Sequence, residues 1–132
     1  SNRDQGENTD AYALAHLEKL GFPYADPEHI TILRETSNKQ TVQEAIMAQY
    51  EVVVLLGDNL NDFSRRYYVS DVDEREALMT EDRDSFGSRY ILFPNPTDGH
   101  WIRAIYGDSE PPASAQNRQI LKEAAMRERW ER

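Results

Sequence analysis

"EVVVLLGDNLNDFSRRY", residues 51–67, decides how this sequence is read. The apolar run Val52 to Leu56 shows no alternation and ends on Gly57, with Asp58 and Asp62 close behind. A continuous apolar run is what a strand of a parallel sheet needs when both faces are covered. A glycine at its end lets the backbone turn sharply, with no Cβ to clash. Asp58 is then the first side chain beyond the sheet. Asp62 returns to the same side if a short helix begins in between.

Composition sets the outer bounds. With 132 residues the chain has room for one domain spanning 1–132. An apolar fraction of 39% beside a charged fraction of 30% describes polar helices and loops around a small core. The longest apolar run, Val52–Leu56, is far too short for a membrane span. The chain has no cysteine, so disulfides, thiolate nucleophiles and Cys-based metal sites are excluded. The net charge of −9 argues against a nucleic acid polymer as partner, because phosphate backbones need a basic surface. Acids crowd between Asp58 and Asp84, which reads either as a solvated face or as a place for a divalent cation.

Outward from the opening stretch, the elements alternate. Upstream, "DAYALAHLEKL" (residues 10–20) carries a helical stripe of Ala13, Leu14, Leu17 and Leu20, with Thr9 or Asp10 as N-cap and Gly21 as stop. "ITIL", Ile30–Leu33, reads as a β-branched strand, and "TVQEAIMAQ", Thr41–Gln49, as a second helix. Downstream, "RYILF", Arg89–Phe93, is a strand running into "PNPTDGHW". A charged helix is expected over Ala115–Trp130, after the break "GDSEPPAS". This order gives an α/β fold with a parallel sheet flanked by helices. In such sheets ligands sit beyond the carboxyl ends of the strands. Asn38 and Lys39, Asp58 to Asp62, and Asn95 to Trp101 all follow strands in this way.

Two carboxylates at one strand mouth repel unless a cation or a lysine neutralises them. Mg²⁺ favours few carboxylates, several waters and phosphate oxygens, which suits Asp58 and Asp62. The alternative is that Asp58 and Asn59 form an Asx-turn and cap the next helix. Lys39 can hold a phosphate oxygen as a point charge and pair with an aspartate, or it is an exposed loop lysine. His16, His29 and His100 are scattered and make no metal site.

The string "LLGDNLNDF", Leu55–Phe63, resembles the fourth motif of the haloacid-dehalogenase-like (HAD) phosphatases. More narrowly, it is similar to the class C non-specific acid phosphatases, the family of bacterial lipoprotein 5′-nucleotidases. "SNR" at Ser1–Arg3 looks like the second motif and "SNK" at Ser37–Lys39 like the third. "FGSRYILFPNPTDGHW", Phe86–Trp101, resembles the stretch after the fourth, so the likeness runs to about Trp101. The resemblance implies a HAD-like Rossmannoid sheet and a Mg²⁺-dependent phosphomonoesterase working through an aspartyl-phosphate. On it, Asp58 binds the metal, and Asp62 orients a metal-bound water or Lys39. Lys39 screens the charge of nucleophile and phosphate. Ser1 holds a phosphoryl oxygen, and Asn2, Asn59 and Asn95 contact substrate.

The sequence departs from the family in two places. The Asp-x-Asp nucleophile expected at the end of a first strand is absent, since the chain opens where the second motif belongs. Asp98 stands where relatives often carry an aromatic able to stack on a nucleoside base. In the family's strand order, 3-2-1-4-5, this chain supplies strands 3, 4 and 5. The expectation is therefore the C-terminal portion of a HAD-like domain, inactive alone and partnered by its missing N-terminal half. The substrate is a small phosphate monoester, and a homo-oligomer is compatible with this reading. By family likeness the location is periplasmic or outer-membrane-attached. A non-catalytic HAD-like interaction module is the competing class, and a phosphotransferase sharing the aspartyl-phosphate is a third.

Overall fold

The computed structural model describes residues 6–97, 99–128 and 130. The chain separates into two compact units, Ser1–Glu51 and Val52–Arg132.

In the first unit, helix α1 (Thr9–Lys19) ends at Leu20, and Gly21 follows at φ +74°, where a side chain would be strained. Its N-cap is Asn8 rather than Thr9 or Asp10; the Thr9 hydroxyl instead donates to the Gly6 carbonyl at 2.8 Å. Asp10 pairs with Arg34 at 2.9 Å. Before the next helix, Asp26 caps a turn at Pro27–His29, accepting the Glu28 and His29 amides. It also meets His29 Nδ1 at 2.7 Å, and that hydrogen bond holds the Asp26 carboxyl below the usual range. Helix α2 spans Gln40–Met47.

Ile30–Leu33 is the first expectation to change, because it forms no β-ladder. Ile30 is extended (φ −121°, ψ 128°), as its β-branch favours, but a strand also needs a neighbour to accept its hydrogen bonds. Instead, Ile30, Thr31 and Ile32 line an apolar cavity of about 370 Å³ with Ala13, Leu17 and Leu20 of the α1 stripe.

The second unit is built on two parallel strands, β1 (Leu55–Gly57) and β2 (Tyr90–Leu92), in register Leu55↔Tyr90, Leu56↔Ile91 and Gly57↔Leu92. The ladder is shorter than the apolar run. Val52 to Val54 lie outside it, and Val53 (73%), Leu56 (60%) and Phe93 (49%) remain exposed. Among the described residues the sheet has two strands, so the outer edge of each has no pairing neighbour.

Between the strands runs helix α3 (Val72–Glu81), capped by the Asp71 carboxylate, which accepts the Glu74 amide at 2.8 Å. After β2 come α4 (Trp101–Tyr106) and α5 (Ala115–Ala125), with α4 in contact with both α3 and α5. Helix α5 stops before Trp130, which turns back into the core instead of extending the helical stripe.

That core is aromatic. Leu60, Phe63, Tyr67 and Phe86 are buried, with Leu55, Leu78, Met79, Tyr90 and Trp130 packed against them. Phe63 stacks on Tyr90 at 4.8 Å between centroids, and Phe86 meets Trp130 edge-on at 5.6 Å. The Trp130 indole N–H donates to Thr80 Oγ1 at 3.2 Å. Tyr67 is fully buried and donates its hydroxyl to Asp82. Burial, reinforced by that hydrogen bond, pushes its ionisation well above the ordinary phenol value. Arg75 is buried beside it and donates to the Tyr67 carbonyl at 3.2 Å.

Candidate active site

β1 and β2 are parallel, so the loops leaving their carboxyl ends emerge on the same side. The first is the turn at Gly57–Asp62. A Cβ on Gly57 would lie 2.4 Å from Asp62 Cβ and 2.8 Å from Asp62 Oδ2. Glycine is therefore required by the close approach of Asp62. A short 3₁₀ turn, Leu60–Asp62, brings that side chain back. Asp62 Oδ2 accepts the backbone amides of Asp58 at 3.2 Å and Asn59 at 3.1 Å. Asp62 acts as the brace of the turn, and capping and site-building are one arrangement here.

The second loop, residues 94–101, reaches back to the first. Asp58 Oδ2 accepts from Asn95 Nδ2 at 3.0 Å, while Asp58 Oδ1 accepts from Asn59 Nδ2 at 3.0 Å. Asn59 Oδ1 in turn accepts the His100 amide at 3.1 Å, which fixes which way the Asn59 carboxamide faces. Gly99, at φ +146°, allows this contact: a Cβ there would stand 2.0 Å from Asn59 Oδ1. Asn95 is held by its neighbours, its carbonyl accepting the Trp101 indole N–H at 3.1 Å.

The result is an exposed carboxylate, Asp58, with both oxygens oriented by carboxamides. A carboxylate oxygen that accepts one hydrogen bond keeps a further lone pair. Asp58 can therefore still give one oxygen to a hard cation. Among the described residues no group of three or more His, Asp or Glu gathers as a metal cage. The donor set fits a cation that keeps most of its water, as Mg²⁺ does.

Of the residues singled out from sequence, Asp58, Asn59, Asp62 and Asn95 come together. Lys39 belongs to the first unit, half-buried at the position preceding α2. Ser1 and Asn2, like Asp98, lie outside the described residues. Gly99, His100 and Trp101 were not given individual roles; the glycine before His100 was the available signal for a close backbone approach. Two segments have Asp-x-Asp spacing, and three of their four acids have partners elsewhere. Asp71 caps α3 and Asp73 pairs with Arg127, while Asp82 takes the Tyr67 hydroxyl and Arg66.

The chain has relatives among known proteins. Residues 1–101 match the family model of the HAD superfamily, subfamily IIIB (acid phosphatase). The fold is similar to the class C acid phosphatase from Bacillus anthracis, at 30% identity and a TM-score of 0.79, covering 93% of this chain and 51% of that one. A second structure of the Bacillus anthracis class C acid phosphatase, with tungstate bound, matches with the same figures. The chain thus spans about half the length of the structures it matches.

Proposed function

Because this chain belongs to the acid phosphatases of HAD superfamily subfamily IIIB, we propose that it supplies the metal-gripping part of a phosphatase acting on phosphate monoesters. The observation that carries the reading is the joining of two strand-end loops around Asp58 by Asn59, Asn95 and Asp62.

Asp58 offers a carboxylate oxygen to Mg²⁺, which when bound neutralises phosphate charge and polarises the phosphoryl oxygens. Asn59 and Asn95 hold the Asp58 carboxylate in one rotamer, so little orientation is lost on binding. Asp62, braced on two amides, keeps the turn closed. Lys39 steadies phosphate as a point charge, and Ser1 with Asn2 takes a phosphoryl oxygen.

The nucleophile that the family likeness implies is an aspartate. Its carboxylate oxygen bonds to phosphorus as the ester P–O bond breaks, and the leaving oxygen takes a proton. Water then releases inorganic phosphate and restores the carboxylate. The tungstate bound by the Bacillus anthracis enzyme, a tetrahedral oxyanion, is the kind of ligand such a pocket would accept. Nucleotide preference and a periplasmic or outer-membrane-attached location are carried by family likeness and belong to the same proposal.

The test is turnover of p-nitrophenyl phosphate by the full-length protein, by this chain alone, and by full-length Asp58→Asn. Full-length protein should turn over, this chain should not, and Asp58→Asn should lose roughly a hundredfold or more in kcat/KM. Turnover by this chain alone would show that the nucleophile lies within it. No turnover by the full-length protein would favour a non-catalytic HAD-like module.

A further inference from the structure

Beside the Asp58 turn lies a second cluster with the opposite charge. The His100 ring, whose own backbone amide holds Asn59, meets the Tyr68 ring edge-on at 4.8 Å. The Arg65 guanidinium sits 3.6 Å from the Tyr68 ring centroid and the Arg103 guanidinium 4.9 Å from it. Three segments contribute: the 3₁₀ turn Arg65–Tyr67 with the residue after it, the end of the 94–101 loop, and α4.

Two guanidiniums drawn to one ring in a chain of net charge −9 would be expected to find carboxylates. Arg34, Arg66 and Arg127 do so, pairing with Asp10, with Glu81 and Asp82, and with Asp73 and Glu76. Among the described residues, neither Arg65 nor Arg103 pairs with an acid. Arg103 Nε is buried and has no hydrogen-bond acceptor there either. The Tyr68 face orients the planar forks without using their N–H donors, which leaves those donors free for an oxyanion.

We propose that Arg65 and Arg103, gathered on Tyr68 next to the Asn59–His100 contact, form a second oxyanion subsite for a further carboxylate or phosphate on the substrate. The proposal rests on the phosphatase reading for its link to turnover, but the subsite's anion binding stands apart from it. The favoured substrates are phosphate esters whose leaving group carries a negative charge of its own. Tyr68 and His100 are positioning residues that keep the two forks apart from the acidic turn.

Two measurements on the full-length protein test this. In the first, kcat/KM is compared for p-nitrophenyl phosphate, 3-phosphoglycerate and a sugar bisphosphate, in wild type, Arg65→Gln and Arg103→Gln. Each variant should lose roughly tenfold more on the doubly anionic substrates than on p-nitrophenyl phosphate, as expected when a charge-assisted hydrogen bond is removed. Arg65→Lys should recover only part of the loss, and the carboxylate and bisphosphate arms show which oxyanion is preferred. Equal losses on all substrates, or none, would overturn the subsite.

In the second, the Arg Nε–H signals are followed by NMR during titration with inorganic pyrophosphate in the presence of EDTA. Saturable shifts of the Arg65 and Arg103 signals, lost from the remaining arginine in each variant, are expected whether or not the protein turns substrate over. Unmoved signals would refute the subsite. Absent turnover with moved signals would refute only the phosphatase reading.

Discussion

Replacing Gly57 by alanine tests the construction of the turn directly. The new methyl would stand 2.4 Å from Asp62 Cβ, more than an ångström inside ordinary contact. The obstructing atom is next to the backbone, so a simple rotation of the Asp62 side chain cannot clear it. Relief needs either the strand end or the 3₁₀ turn to move. Either movement pulls Asp62 Oδ2 off the Asp58 and Asn59 amides. Overpacking of this kind costs about 1–3 kcal/mol. Losing two hydrogen bonds to a half-exposed carboxylate adds about 1 kcal/mol more. A destabilisation of about 2–4 kcal/mol is therefore expected in urea unfolding of the full-length protein. A double-mutant cycle with Asp62→Gly, which removes the obstructing atom, separates this cause from general damage. The two changes should be less than additive, with a coupling of about 1–2 kcal/mol. Additive losses, or a Gly57→Ala protein within about 0.5 kcal/mol of wild type, would refute the packing described for Gly57 and Asp62.

Other perturbations give separate readings. Gly99→Ala combines a disfavoured φ with a Cβ 2.0 Å from Asn59 Oδ1, so it should cost about 1–3 kcal/mol by urea unfolding and loosen metal binding by calorimetry. Asn95→Ala frees one oxygen of Asp58 and should weaken Mg²⁺ affinity roughly ten- to a hundredfold with little change in melting temperature. Tyr67→Phe removes the buried hydroxyl's bond to Asp82 and should cost about 1–2 kcal/mol near neutral pH. The Tyr67 pKa is raised on folding, so its neutral form contributes stability below the unfolded value of about 10, and that contribution drains away as pH climbs above it. Stability profiles of wild type and Tyr67→Phe should therefore converge at alkaline pH.

The turn and its strand were legible because their signal is local. An apolar run, a glycine and two acids at fixed spacing say where a backbone leaves a sheet. Asn95 was singled out by its place beyond the carboxyl end of a strand, and no periodicity would have found it. The Ile30–Leu33 strand misled because β-branching selects an extended backbone, while a ladder also needs a partner. Helix α3 went unread inside the acidic block. Of its apolar residues only Leu78 and Met79 pack on the aromatic core, and its buried face includes Arg75. Asp71 followed three residues later by Glu74 was the capping signal available for it. The aromatic core draws Phe63, Tyr67, Phe86, Tyr90 and Trp130 from separate segments, and such packing leaves no period in the sequence. Tyr68, Arg65 and Arg103 likewise meet only through tertiary structure.

Calorimetric titration of Mg²⁺ into the full-length protein, with and without tungstate, probes the gripping role of Asp58 most directly. The oxyanion should tighten Mg²⁺ binding roughly tenfold or more, the metal should tighten tungstate binding by the same factor, and Asp58→Asn should abolish the coupling. Equal Mg²⁺ affinity in wild type and Asp58→Asn, or affinities for metal and oxyanion that ignore each other, would contradict it.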